Sequence, residues 1–205
     1  MIKKIIERVI RLLRERDIND ITVVIGYKPE LFIELSDEKI RFVNNPLFFC
    51  ANVLGSFACG MGNLTRDFIF INADTIFDET ILDDLIASNV SDIISPVDYK
   101  ACIEEEMKVT TVDGNVTAVH KPIDLKIAQG EFIGIAKIGA CILDKLKLAV
   151  IVELKEKNNH QNYFEAAIQN LIDQGNNIKT IVTNGRPWVE IDFPQDFEAA
   201  KTLFF

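Results

Sequence analysis

The sequence predicts an α/β fold, with a mixed, mostly parallel sheet and a small antiparallel insertion. Three observations carry that expectation. The run Phe68-Ile69-Phe70-Ile71 is apolar at four successive positions, the pattern of an inner parallel strand buried on both faces. Strand-like and helix-like periods alternate through the first hundred residues, as parallel crossovers require. Asp113-Gly114 lies between two short strand-like runs and marks a two-residue hairpin turn.

Ile2, Ile5, Ile6, Val9, Ile10, Leu12 and Leu13 recur at helical spacing, so the chain opens with an amphipathic helix to about Arg16. Ile21–Ile25 is a short strand closed by Gly26, Pro29 opens a helix through Leu35, and Ile40–Val43 is the next strand. Asn44-Asn45-Pro46 forms a loop before a helix containing Ala51–Gly60. The strand that begins at Phe68 runs to Asp74. Asp78 then caps a helix over Glu79–Ser88, and Asp92–Val97 is a strand. The hairpin Met107–Val112 and Asn115–His120 forms the insertion, and Glu131–Ile138 reads as one further strand. Helices over Ala140–Lys157 and Tyr163–Gln174, a strand at Ile178–Thr183, an extended Trp188–Ile191 and a helix opened by Pro194 complete the chain. No repeat or linker divides it, so one domain over residues 1–205 is expected.

The composition narrows the function. A net charge of -9 with no basic cluster argues against nucleic acid as a partner. The N-terminal Ile-rich stretch is broken by Glu7, Arg8 and Arg11, and no apolar run reaches membrane-spanning length. Cys50, Cys59, Cys102 and Cys141 have no metal-ligand spacing and only two histidines for company, so buried free thiols in a reducing cytoplasm are expected.

Chemistry is expected at acids and lysines. Asp74 stands at a strand's carboxyl end, where open α/β sheets bind ligands, although a lone acid there also serves as a turn cap. Glu190 and Asp192 are two apart on an extended segment and point the same way, while Val189 and Ile191 pack inward. Together with Asp74 they make an oxygen-only set suited to Mg²⁺, or else a solvated acidic strand end. Lys121 and Lys137 end strands and are able to neutralise a phosphate, or to stand as surface charges. Asn52, Gly55 and Ser56 mark a helix start that suits a nucleoside. Glu104-Glu105-Glu106 reads as a solvated acidic face, and His120 as a structural residue.

The run FIFINAD, the hairpin ending in HKP, the strand GEFIGIAK and the terminal WVEIDFPQDFEAA occur in this order. They resemble the sugar-phosphate nucleotidylyltransferases (the NDP-sugar pyrophosphorylase type of nucleotidyltransferase). IERVIRLLRERDINDITVVIGYKPELF and VDYKACIEEEMKV are similar to the branch that includes phosphocholine and inositol-1-phosphate cytidylyltransferases. The resemblance implies a Rossmann-like three-layer α/β/α fold. It implies Mg²⁺ held by Asp74, Glu190 and Asp192, and catalytic roles for Asp74 and Lys121. It places Asn52, Gly55 and Ser56 at the nucleoside, and Glu131 and Lys137 near the acceptor. The implied reaction moves an NMP, CTP being the favoured donor, onto a small phosphorylated alcohol or sugar phosphate and releases pyrophosphate. For a trimethylammonium acceptor, Tyr99, Phe132, Tyr163 and Phe164 are the aromatic candidates.

Family members begin with a strand and a Gly-x-Gly-x-Arg loop, and this sequence has no glycine before Gly26. The lost strand lies between the Ile21 and Phe68 strands in the family. Those two strands are then expected to close on each other, or to take a strand from another chain or another copy of this one. Weak binding of nucleoside triphosphate by the chain alone follows. A non-catalytic binding or regulatory subunit, or one part of a split enzyme, is the alternative reading. A glycosyltransferase of related fold is disfavoured because Ile76 stands where a second acid is wanted.

Overall fold

The amphipathic periodicity of the first residues produces helix α1 (Ile2–Arg14), which buries Ile5, Ile6, Ile10, Leu12 and Leu13. In this computed structural model the described residues are 2–35, 39–89, 92–156, 158 and 160–204. The end of the predicted Ala140–Lys157 helix, at Lys157, lies outside them. The chain divides into two compact units, Met1–Asn63 with Lys147–Ala167, and Leu64–Leu146 with Ile168–Phe205.

In the first unit, β1 (Ile21–Ile25) and β2 (Ile40–Asn44) pair in parallel from Ile21↔Ile40 to Ile25↔Asn44. The segment Pro29–Leu35 joining them is a 3-10 helix, tighter than the α-helix expected. Helix α2 (Val53–Gly60) follows, with Asn52 as its N-cap: the Asn52 side chain accepts from the Val53 amide. Phe57 of α2 packs against Phe164 with ring centres 4.7 Å apart. Gly60 lets the end of α2 approach Val24, since a Cβ there would stand 2.9 Å from the valine methyl.

The second unit holds a seven-stranded sheet in the order β10-β7-β6-β8-β5-β9-β3. Its members are β3 (Phe68–Ile71), β5 (Ile93–Asp98), β6 (Lys108–Val112), β7 (Asn115–Val119), β8 (Gly130–Phe132), β9 (Ile135–Ile138) and β10 (Ile178–Val182). A separate two-stranded ladder pairs β4 (Thr75–Phe77) with β11 (Trp188–Glu190) in antiparallel fashion. Helix α3 (Glu79–Ala87) starts at the N-cap Asp78, and α6 (Pro194–Phe204) starts at Pro194, both as the sequence predicts. Helices α4 (Leu143–Ile151) and α5 (Glu165–Asp173) each begin in one unit's share of the chain and end in the other's.

Four expectations change here. The Phe68 strand is not an inner parallel strand: among the described residues β3 stands at the sheet edge and pairs antiparallel with β9 alone, and it is half-buried at all four positions. Among the described residues β1 likewise has β2 as its single ladder partner. The seven-stranded sheet is mixed, but its one parallel ladder among the described residues is β5–β10, the others being antiparallel; the parallel β1–β2 pair is a separate two-stranded sheet. The predicted Glu131–Ile138 strand is broken in two at Ile133-Gly134, because Gly134 adopts φ +77°. The cysteines are free, as expected, yet Cys50, Cys59 and Cys141 are exposed and Cys102 half-buried rather than enclosed.

The Gly134 break places a turn against β3. The Asn72 amide donates to the Gly134 carbonyl (2.8 Å), and a Cβ at Gly134 would come within 2.8 Å of both Asn72 Nδ2 and Thr75 Oγ1. Gly134→Ala is therefore expected to cost about 2 kcal/mol of stability, from its left-handed backbone and this close approach. Urea denaturation of the variant against the parent measures it.

Candidate active site

Strand β3 ends at Ile71, and the chain turns through Asn72, Ala73 and Asp74 before β4 begins. The turn closes by Thr75 N donating to Asn72 O (3.3 Å). Asp74 is then continuous with the β4–β11 ladder: Glu190 pairs with Thr75, and Ile191 N donates to Asp74 O (3.0 Å). Beyond β11, the Asp192 and Phe193 amides donate to Asp196 Oδ2 (3.1 and 2.7 Å), which pins the entry to α6. Backbone register thus carries Asp74, Glu190 and Asp192 together, and their carboxylate oxygens lie within 4.8 Å of one another.

The electrostatics of that group are strained. Asp74 Oδ1 is buried and has no hydrogen-bond partner among the described residues. Burial raises the Asp74 pKa, and the neighbouring Asp192 adds to the rise. Glu190 is an exposed residue, but partial enclosure of its carboxyl, with Asp74 and Asp192 beside it, pushes it up to about 7, while Lys121 pulls it back down. Three hard oxygen donors with an orphaned oxygen among them are a set whose chemistry suits a small divalent cation. Asn72 Oδ1, two residues before Asp74, is a second buried oxygen without a hydrogen-bond partner among the described residues.

Lys121, just past β7, lies within electrostatic reach of Glu190. Glu131 sits in β8, only 4% exposed, and it also feels the charge of Glu190. Burial first, then Glu106 and Glu190, raise Glu131 to about 7 against the pull of Lys100. The structure therefore gathers Asp74, Lys121, Glu131, Glu190 and Asp192 into one electrostatic neighbourhood of the second unit.

It does not bring Lys137 there. Lys137 Nζ donates to the Ile86 and Ser88 carbonyls, 2.7 Å each, at the end of α3. Its Cα partner in β3 is Ile69, two residues before that strand ends and the chain turns towards Asp74. A cation at a helix C-terminus satisfies orphan carbonyls and the helix dipole. Asn52, Gly55 and Ser56 form a local group in the first unit. Asn52 Nδ2 donates to Gln161 O (3.3 Å), Asn45 Nδ2 donates to Ser56 Oγ (3.1 Å), and a Cβ on Gly55 would stand 2.7 Å from the Ala51 methyl.

Three neighbours were missed by sequence reasoning. Glu106 is not on a solvated face; it turns inward, with Oε2 accepting from the Ile103 amide (2.8 Å). Lys100 joins it at 2.8 Å, and Trp188 lies beneath Lys100. The shared face of Trp188 and Glu190, two apart on one strand, was the available signal. Of the aromatic candidates, Phe132 and Phe164 belong to the core, and Tyr99 donates to or accepts from Thr180 Oγ1 (3.1 Å).

Residues 3–107, just over half of the chain, match the model of the MobA-like NTP transferase domain. The chain belongs to that family. It is 24% identical over 221 residues to a CTP:phosphoglutamine cytidylyltransferase of Campylobacter jejuni, an alignment covering 96% of this chain and 86% of that protein. The fold is similar to that of the CTP:phosphocholine cytidylyltransferase of Streptococcus pneumoniae, with a TM-score of 0.78, 20% identity, and coverage of 98% of this chain and 85% of that one. The inositol-1-phosphate CTP transferase of T. maritima gives a TM-score of 0.74 at 17% identity, with 94% and 78% coverage. This NTP transferase chain thus has the Rossmann-like α/β fold that its sequence motifs implied. Among its described residues no helix is long and apolar enough to cross a membrane.

The raised acid has a thermodynamic consequence. Between the ordinary value of 4.5 and about 7, the folded chain keeps a proton at Glu190 that the unfolded chain releases. Stability is therefore expected to fall as pH rises through that window. Thermal melts should show Mg²⁺ raising the midpoint more at about pH 8 than at about pH 5, and Glu190→Gln should flatten both effects.

Proposed function

We propose that this chain acts as a Mg²⁺-dependent cytidylyltransferase, moving CMP from CTP to a small phosphorylated alcohol or sugar phosphate with release of pyrophosphate. The observation that carries the reading is the convergence of Asp74, Glu190 and Asp192 from two distant parts of the sequence, with a buried orphan oxygen on Asp74. The cytidylyltransferases among its relatives support CTP as donor. The acceptors named for them, phosphoglutamine, phosphocholine and inositol-1-phosphate, share a phosphate and differ at the opposite end.

In this reading Asp74, Glu190 and Asp192 hold the cation, which when bound supplies charge neutralisation to the triphosphate. Lys121 neutralises the acceptor phosphate. An acceptor phosphate oxygen attacks the α-phosphorus in line, a new P–O bond forms, and the α–β bridge breaks to free pyrophosphate. A phosphate monoester dianion is already nucleophilic near neutral pH, so no side chain has to remove a proton. Catalysis rests on positioning and charge, which suits a site built of carboxylates and lysines. Asn52, Gly55 and Ser56 are assigned to the nucleoside in this reading. Lys137 is left out of it, since its ammonium serves α3.

The test has two parts. Isothermal titration should detect Mn²⁺ or Mg²⁺ binding that Asp74→Asn abolishes. Pyrophosphate release from CTP with a panel of acceptor phosphates should fall by about two to three orders of magnitude in Asp74→Asn, with Lys121→Met chiefly raising the acceptor KM. Turnover undiminished in Asp74→Asn overturns the assignment. Metal and CTP binding without pyrophosphate release from any acceptor favours the non-catalytic binding subunit instead.

A further inference from the structure

Beside the acid group, the second unit gathers another charged constellation. Lys100 Nζ lies 2.8 Å from Glu106 Oε1, 2.8 Å from Glu131 Oε2 and 5.3 Å from the centre of the Trp188 ring. Glu131 Oε2 is buried, and the Lys100 ammonium at 2.8 Å is its counter-charge and donor. The indole is held in place: Trp188 Nε1 donates to Asp98 Oδ2 (3.1 Å), and Asp98 Oδ1 accepts from Thr183 Oγ1 (2.7 Å). The loop carrying Glu106 is held as well. Lys108 is buried, and its Nζ donates to the Ile103 and Glu104 carbonyls at 3.3 and 2.6 Å. Trp188 and Glu190 share one face of β11 about 7 Å apart, so this constellation adjoins the acids that are assigned to the metal.

Two carboxylates and an indole face, with Glu106 held by the Ile103 amide, Trp188 by Asp98 and Glu131 buried in β8, make a receptor for a cation. Such a donor set would take a quaternary ammonium, were it not already filled. Lys100 fills it from within the chain, so it gives up no translational freedom on entering. It also donates N–H groups to the carboxylates, which a trimethylammonium group lacks.

We infer that Lys100 determines acceptor specificity: its ammonium occupies the cation receptor formed by Glu106, Glu131 and Trp188, and thereby excludes acceptor phosphates bearing trimethylammonium in favour of neutral or anionic ones. The inference rests on the cytidylyltransferase reading for its meaning, but its physical content, a cation receptor filled by Lys100, stands apart from catalysis. The sequence contains a single tryptophan, so indole fluorescence reports Trp188 alone.

The experiment titrates choline, with no nucleotide or metal, against the parent chain and Lys100→Ala while following that fluorescence. Lys100→Ala is expected to show a saturable change at least about tenfold tighter than any in the parent. Lys100→Met, which fills the space without charge, is expected to show none. Lys100→Ala leaves a buried carboxylate without its cation. Circular dichroism therefore checks its fold, and Lys100→Ala/Glu131→Gln, which retains Glu106 and the indole, is read if it unfolds. A weaker but saturable response is expected from that double variant. A parent that responds as strongly as the variant overturns the inference, as does a folded variant that does not respond. Failure of pyrophosphate release with choline binding intact would sink the catalytic reading alone.

Discussion

One backbone hydrogen bond, from the Ile191 amide to the Asp74 carbonyl, extends the β4–β11 ladder past its last side-chain pair. Everything at the candidate site depends on that register. With Glu190 opposite Thr75, the carboxylates of residues 74, 190 and 192 converge. A slip of one residue would turn Glu190 to the other face of the strand and place Val189 among the acids. The ladder is only three residue pairs long, so its neighbours matter. Asp196 anchors the amides of Asp192 and Phe193 on one side, and Gly134 holds Asn72 on the other.

That arrangement stores electrostatic cost in the folded chain. Asp74 and Glu190 are both raised by burial and by acidic neighbours, and Asp74 Oδ1 has no donor among the described residues. Sites of this kind are retained where a charge is meant to arrive, because the repulsion is relieved by whatever cation binds. The Lys100 constellation makes the contrast plain. There the carboxylates of Glu106 and Glu131 already have their cation, and Trp188 adds its ring face. The first acid group has Lys121 within electrostatic reach, and the second is paired directly with Lys100.

The second unit thus separates two tasks along a single short strand. Glu190 at its end faces the triphosphate chemistry of the proposed reaction, and Trp188 two residues earlier faces the Lys100 ammonium. Lys137, which strand logic placed with them, serves the fold instead by closing the end of α3. A lysine at a strand terminus reads the same in sequence whether its ammonium reaches a ligand or a helix end.

The sequence by itself determined most of the elements and the three acids. Apolar periodicity specified α1, β1 and β2, Asp78 and Pro194 marked the starts of α3 and α6, and the two-residue spacing of Glu190 and Asp192 put both on one side of an extended segment. These are local properties, set by backbone geometry within a few residues. The tertiary structure decided what local pattern cannot carry. It made Phe68–Ile71 an edge strand because edge and centre differ only in how many neighbours a strand finds. It broke Glu131–Ile138 at Gly134, turned Glu106 inward, and set Lys100 over Trp188, 88 positions later in the sequence. Contacts of that range depend on which strands lie side by side, and strand pairing is a property of the whole chain.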